Sequence, residues 1–415
     1  MPALVGGLDL AGLSAVLKEW YIGPVNEQLN QEVMVTQLLN ITDENLEGLK
    51  AVVPLHSSRS GGIGSRAERA QLPNAGQQGY NRAEYQLKYH YARVEVTGQS
   101  IQRTNSDRGA FLQAFKSELS YIRKDVQSDM ARQFYGDGSA TICIVLDAAG
   151  VNSATQTPQD KEAIFKGFIY VGMVVDILKT SDNAVVASAK TVTDVDLTAG
   201  TFTLDAAVDL TPTPTDFRVV RSGNRTGAVV DEIDSGLQAI IGTGILGGIN
   251  PATAGKKFWS GIVDASFGAT LELDDLMQSY NRVNNAGSRA DQTIVMMTPG
   301  LLRRLFGTSF STPIQFVNTT TLRGGFEKLS FAAGAGPMTL YADRLHPWGQ
   351  VSFVDKDGIQ AYSPADWAFL DRDGLTIRWV PDYDAFQALL FRYINLGASR
   401  RNTSMRLTGF TDLGV

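Results

Sequence analysis

The chain has 415 residues, room for two or three domains. Hydrophobic residues make up 43% and charged residues 19%, which builds real cores and excludes global disorder, while a net charge of -6 excludes a general basic face for nucleic acid. The single cysteine, Cys143, excludes an internal disulfide framework and suits a reducing compartment.

The first residues, MPALVGGLDLAGLSAVLKEW, lack a basic n-region and are interrupted by Asp9, Lys18 and Glu19. Neither a signal peptide nor a membrane span is expected there. Residues 1–48 read as an arm. Leu8 to Trp20 predicts a short amphipathic helix, and Pro24 opens a second with Val25, Leu29, Val33 and Leu38 loosely on one face. Neither can bury its face on itself, so the arm is expected to pack on its own chain or on a neighbour.

Residues 49–104 read as a long hairpin extended into a loop. LKAVVPL is one strand. The second stretch alternates through Tyr85, Leu87, Tyr89 and Tyr91, then Val94 and Val96 after a slip. Between them SSRSGGIGSRAERAQLPNAGQQGYN has no apolar stripe of its own. A structureless loop of roughly 25 residues is uncommon inside a domain and points to disorder or a partner. Its charges are Arg59, Arg66, Arg69 and Arg82 against Glu68, a basic tip in an acidic chain.

A long helix is expected from Asp107 to Gly136. Phe111, Phe115, Leu119, Ile122, Val126, Met130 and Phe134 recur at steps of three and four. Lys116, Glu118, Arg123, Lys124, Asp125, Asp129 and Arg132 suit a solvated or partner-facing side. Ser106 or Asp107 can cap its start, and Gly136 can close its end in a left-handed conformation. At 1.5 Å per residue it makes a spine of roughly 40 Å.

Residues 105–155 complete this spine segment, and composition then shifts. The text from Phe165 to Phe217 is rich in Val, Thr and Asp, with turn signals at SDNA, TAGT and TPTPTD. Residues 156–225 are therefore expected to form an inserted, β-rich domain. Residues 226–269 return to the body. Residues 270–349 change character: Thr270 is expected to cap a helix through Leu273, Leu276, Tyr280 and Val283. Gln292 to Met297 reads as a buried strand, and Thr298-Pro299 as a helix cap. Residues 350–415 are strand text, with VSFVDKDGIQAY expected to be a hairpin around Lys356-Asp357-Gly358.

No constellation carries catalysis. His56, His90 and His346 lie far apart, with no Cys, His or carboxylate at metal-ligand spacing. Cys143 lies in an apolar run and reads as core. Gly242 to Gly247 matches G-x-G-x-x-G, but Gly248-Ile249-Asn250-Pro251 follows, which is turn text where a dinucleotide site needs a helix. Asp274-Asp275 and Asp371/Asp373 have no base beside them. No catalytic, cofactor-binding or metal residues are assigned, no cofactor is expected, and the chain is not read as an enzyme.

The order of modules is specific: arm, extended loop, spine helix ending in Tyr135-Gly136-Asp137-Gly138, inserted β module, α/β module, returning strands. With the stretch Glu232 to Gln238 and the strand–cap–helix TIVMMTPGLLRRL, it resembles the major capsid protein of tailed bacteriophages, the Hong Kong 97 type shell fold shared with encapsulins. The resemblance covers nearly the whole chain.

It implies an α+β fold with an extended β-hairpin loop and an inserted small all-β domain. The peripheral domain would comprise 105–155, 226–269 and 350–415, the last carrying its C-terminal strands. The axial domain would be 270–349, its loops at the five- and six-fold axes. The function implied is an icosahedral shell, built through pentamers and hexamers around double-stranded DNA; an encapsulin-like compartment is the alternative. A multi-domain ligand-binding protein is the reading from another class. The partners implied are other copies of the chain, a separate scaffolding protein, a portal, non-specifically held DNA and a decoration protein, with no membrane. The location implied is the virion, after assembly in the host cytoplasm. Some family members cross-link a lysine in the loop to a neighbour's asparagine; here Lys50 and Lys88 lie in the strands and Ser57 to Asn81 has only arginines, which argues against it. The Arg59, Arg66, Arg69 and Arg82 set is expected to make intersubunit salt bridges, because the guanidinium fork suits carboxylates.

Overall fold

The structure is a computed structural model that describes residues 35, 38–97, 108–145, 152–210, 217–289, 291–309, 319–321, 327–333, 336–370 and 377–412. The expected arm helices and the Ser106/Asp107 cap lie outside the described residues. The chain divides into two compact units.

The larger unit spans residues 34–88, 132–362 and 395–415. One layer is a seven-stranded mixed sheet with Thr293–Met297 near its centre, parallel to Gly336–Ala342 and antiparallel to Gln350–Asp355. All five residues of the Thr293–Met297 strand are buried, so both faces of the sheet are covered there. The helices Leu273–Asn285 and Pro299–Ser309 cover one of them, the face of Val295 and Met297, through Leu276, Tyr280, Val283, Leu301 and Leu305. Thr298 caps the second helix, its Oγ1 accepting from the Leu301 amide at 3.3 Å. The first helix is capped differently from expectation. Glu272 and Asp275 form a capping box, and the Thr270 hydroxyl instead accepts from Arg304 at 2.9 Å.

The expected hairpin of VSFVDKDGIQAY is not one. The turn exists, with the Gly358 amide donating to the Asp355 carbonyl at 3.1 Å. The strands then part: Gln350–Asp355 joins the seven-stranded sheet, while Ile359–Tyr362 pairs with Asn40–Thr42 and with Asn395–Ala398. Val351 to Asp355 are all buried, a run that needs neighbours on both edges and cover on both faces, which a two-stranded hairpin cannot supply.

The β-rich text folds into a six-stranded ladder in the order Cys143–Val145, Phe217–Arg221, Val174–Lys179, Val185–Asp196, Thr201–Asp209, Asn152–Gln156. It takes in two strands that begin before residue 156, Cys143–Val145 and Asn152–Gln156. A bridge between Val145 and Pro158, two residues beyond the last strand, ties the ends of the ladder together. Phe202, Phe217, Val175, Ile177 and Val192 fill the interior. The module is thus a small closed barrel.

The spine helix runs from Arg108 to Tyr135. Arg132, expected on a solvated or partner-facing side, is buried within the chain, where Glu232 accepts from its Nη2 at 2.7 Å. The positive φ beyond the helix falls at Gly138 (81°) rather than at Gly136. A Cβ on Gly138 would lie 2.1 Å from the Asp234 carbonyl oxygen, so the chain passes close there and only glycine fits.

The smaller unit takes residues 89–131 and 363–394 among those described. The expected second hairpin strand is two strands, Gly79–Gln86 and Lys88–Thr97, broken at Leu87, whose amide donates to the Leu49 carbonyl at 2.9 Å. Gly79–Gln86 pairs with Lys50–Ser58, whereas Lys88–Thr97 pairs with the strand Ala385–Ala398. The latter strand also pairs with Ala368–Phe369 and Ile377–Trp379. Tyr89 meets Tyr393 edge-to-face at 4.9 Å.

Candidate assembly surfaces

Two surfaces and three joints account for the residues that local pattern leaves unexplained. The first surface is the loop between Ser58 and Gly79. It is exposed almost throughout, with Ile63 at 90% and Leu72 at 78% of full accessibility. It is nevertheless organised. A Cβ on Gly76 would stand 2.6 Å from the Gly61 amide nitrogen, so the two stems touch at a neck. Beyond the neck, Arg66 Nε donates to the Gln71 carbonyl at 3.0 Å and the Ala70 amide to the Ala67 carbonyl at 3.0 Å.

The four arginines separate in role. Arg82 pairs with Glu84 at 3.0 Å within the strand, and Lys50 shares that carboxylate at 2.6 Å. The Lys50 hydrogen bond, first among several causes, holds Glu84 below the ordinary carboxylate range. Arg66 spends donors on loop carbonyls. Arg59 and Arg69 make no ion pair to a described residue, and Arg69 takes a φ of 62° that turns the tip.

The second surface is a hairpin tip in the smaller unit. Ile377–Trp379 turns through residues 380–384 into Ala385–Ala398. Trp379 is 64% exposed and Tyr383 52%, with the indole Nε1 donating to the Tyr383 carbonyl at 2.6 Å. The Tyr383 amide returns to the Val380 carbonyl at 3.2 Å, which locks the turn. Pattern reading passed over this tip because an exposed tryptophan beside a proline carries no periodicity.

The first joint is Arg401, wholly buried. Its guanidinium donates to the carbonyls of Ala239, Ile240, Gly242, Gly244 and Trp259 at 2.6 to 3.0 Å. The glycine text that mimics a dinucleotide motif is therefore a turn wrapped around an arginine. Burial pulls the guanidinium down to a pKa of about 10.

The second joint gathers the spine-helix end, the barrel and the 343–348 turn. Tyr135 donates to Asp343 at 2.5 Å, and Lys166 donates to Glu162 and to the His346 carbonyl, the latter at 2.6 Å. Burial raises Asp343 and Glu162, lowers Lys166, and drives His346 down to about 3. His346 sits neutral between the Ser352 hydroxyl at 2.9 Å and the Pro347 carbonyl at 3.1 Å.

The third joint is at the hairpin foot. Lys88 pairs with Asp234 at 3.0 Å, and Asn395 donates to Asp234 at 2.9 Å and to the Gln86 carbonyl at 2.6 Å.

Among the described residues no group of His, Cys, Asp or Glu stands ready to hold a metal ion. Cys143 is buried in the barrel and its thiol is pushed up by that burial. Clefts of about 580 and 520 Å³ flank the spine-helix end and the hairpin foot. Among the described residues no helix is long and apolar enough to cross a membrane.

No family model matches the chain, and no curated protein matches it. Solved structures do. The capsid asymmetric unit of Cyanophage A-1(L) superposes with a TM-score of 0.53 at 14% identity, covering 94% of this chain and 95% of that one. The holo-SrpI encapsulin complex from Synechococcus elongatus PCC 7942 gives 0.50 at 10% identity, covering 96% and 95%. The fold is shared with that capsid subunit and that encapsulin. It is the Hong Kong 97 type fold, α+β and mostly sheet, seen in tailed-phage capsids.

Proposed function

We propose that the chain is the major capsid protein of a tailed bacteriophage, assembling through pentamers and hexamers into an icosahedral shell around double-stranded DNA. The observation that carries this reading is full-length superposition on a phage capsid subunit, in a chain whose exposed loop has an organised tip but no core of its own. A shell needs many repeated, modest contacts rather than one deep pocket. Exposed apolar tips fit that need.

On this reading the chain is a structural protein and not an enzyme. Residues 270–349 form the axial domain. Residues 105–155, 226–269 and 350–415 form the peripheral one, residues 156–225 the insertion and 49–104 the loop that overlaps an adjacent subunit. Arg59, Arg66, Arg69 and Arg82 meet carboxylates on other copies. A separate scaffolding protein and a portal act during assembly in the host cytoplasm, and a decoration protein is a further partner. DNA is held non-specifically inside the virion, with the acidic balance keeping that hold weak.

The encapsulin match supports a second reading, a protein compartment that encloses an enzyme cargo. Light scattering and negative-stain imaging of the purified chain test the shell. Closed particles, or free pentamers and hexamers, are expected; a monomer unaffected by candidate scaffold overturns it. Nuclease-protected DNA inside particles supports the phage reading, and a co-purifying enzyme the compartment.

A further inference from the structure

A buried carboxylate and a buried hydroxyl meet where Gly358 turns the chain from one sheet to another. Asp355 is fully buried at the end of the Gln350–Asp355 strand. Its Oδ1 accepts from the Asp357 amide at 3.2 Å and so serves the turn. Its Oδ2 makes no hydrogen bond to a described residue. Arg400 Nη2 stands off from that oxygen at 3.4 Å, on a side chain that is 42% exposed, whereas a charge-assisted bond closes to about 2.7–2.9 Å. Thr403 is 2% exposed, and its Oγ1 likewise makes no hydrogen bond to a described residue. Groups of this kind are costly to bury without a partner.

The two side chains converge on one small space. A Cβ built on Gly358 would stand 3.0 Å from Asp355 Oδ2, 3.1 Å from the Arg400 carbonyl oxygen and 3.2 Å from Thr403 Oγ1. Gly358 does not have a positive φ, so its backbone does not demand glycine; what glycine gives here is room among three oxygens. Carboxylate, carbonyl and hydroxyl together form an all-oxygen set, the chemistry that hard cations take and that thiolate- or imidazole-seeking metals do not. Only one of the three is a carboxylate, so no acidic or imidazole cluster marks the place in the sequence.

We propose that Asp355 Oδ2, Thr403 Oγ1 and the Arg400 carbonyl bind a hard metal cation of the calcium or magnesium class. The turn already touches the segment that follows the long strand: the Ser399 amide donates to the Gly358 carbonyl at 2.9 Å and the Asp355 amide to Ser404 Oγ at 3.2 Å. The cation reinforces that contact beside Arg401 and its carbonyls. The Arg400 guanidinium competes with it for Oδ2 and turns to solvent when the cation enters. One carboxylate and one competitor set a modest affinity, a Kd of about 1 mM. The site lies within one chain and does not depend on the shell reading.

The purified full-length chain, stripped with EDTA and dialysed, is melted in about 10 mM calcium chloride, in about 10 mM magnesium chloride and in choline chloride of equal ionic strength. A melting temperature about 2 °C or more higher in a divalent salt than in choline chloride is expected, and the salt that acts identifies the ion. Equal melting in all three overturns the site. Thr403→Val should raise the cation concentration needed for the shift at least tenfold, while Thr403→Ser should not. Gly358→Ala sets a methyl among the oxygens and should abolish the shift. Arg400→Gln keeps the carbonyl and removes the competitor, so the shift should come at a lower cation concentration. A salt bridge with a structural role alone would not give that last result. A shift that persists in both Thr403→Val and Gly358→Ala arises elsewhere and overturns the proposal. If Thr403→Val does not fold, Gly358→Ala and Arg400→Gln decide.

Discussion

Arg401 lies against Trp259: its guanidinium carbon is 5.8 Å from the indole centroid, and its Nη1 donates to the Trp259 carbonyl at 2.8 Å. Removing this side chain strands buried carbonyls as well as a stack. Arg401→Met is expected to destabilise the chain by about 3–5 kcal/mol. Arg401→Lys should recover little, because an ammonium has three donors and no planar fork. Urea unfolding of the unassembled chain measures both; a loss below about 1 kcal/mol for the Met variant would contradict the cage.

Tyr135 holds Asp343 in a buried site. Tyr135→Phe keeps the ring and removes one donor, leaving a buried carboxylate less satisfied. A loss of about 1–3 kcal/mol is expected. Removing Asp343 as well, as Tyr135→Phe with Asp343→Leu, should cost less than the two single changes together, since the stranded group is gone. Strict additivity would show that the two side chains do not act as a pair.

His346 gives a pH signature. Its folded pKa of about 3 lies below its ordinary 6.5 because burial disfavours the charged ring. Its contribution is complete above pH 6.5 and is lost as pH falls toward 3, since the unfolded chain binds the proton first. Asp343 and Glu162 are raised and act in the opposite sense, gaining as pH falls. Comparison with His346→Gln isolates the histidine. Between pH 7 and 5 the wild type should lose about 2 kcal/mol relative to the variant, from about 1.4 kcal/mol per pH unit below 6.5. Parallel stability curves would show that the ring protonates freely in the folded chain.

The four-arginine variant, with Arg59, Arg66, Arg69 and Arg82 all changed to Ala, should separate folding from assembly. These side chains are exposed, so the midpoint of the isolated chain should move by no more than about 0.5 kcal/mol per site. Particle yield and particle melting temperature should fall. Unchanged particles would remove the arginines from the interface.

Long, strongly periodic text was the easiest to read. The spine helix, the buried strand before Thr298 and the Thr298-Pro299 cap needed only residues close in sequence. Strand partners were illegible where a tight turn and a sheet change coincide, as at Gly358, because the turn residues are the same whether the strands stay together or part. Arg132 looked solvated because its partner, Glu232, lies a hundred residues away. Arg401 and the Lys166–Glu162 pair were missed for the same reason: burial of a charge is decided by groups distant in sequence. At the candidate interface, the loop was legible from its lack of an apolar stripe. The hairpin tip was not, since Trp379 and Tyr383 owe their exposure to a turn that only the fold defines.

The bridge between Val145 and Pro158 has a consequence for crowding. In a shell of the proposed kind, many copies of each module would stand side by side, at a local concentration no solution reaches. An open six-stranded ladder would offer two bare edges to every neighbour, and neighbouring ladders could zip into continuous sheet. Joining the first strand to the segment after the last removes much of that hazard. The module can then vary its outward side chains at a lower risk of fusion to its neighbours.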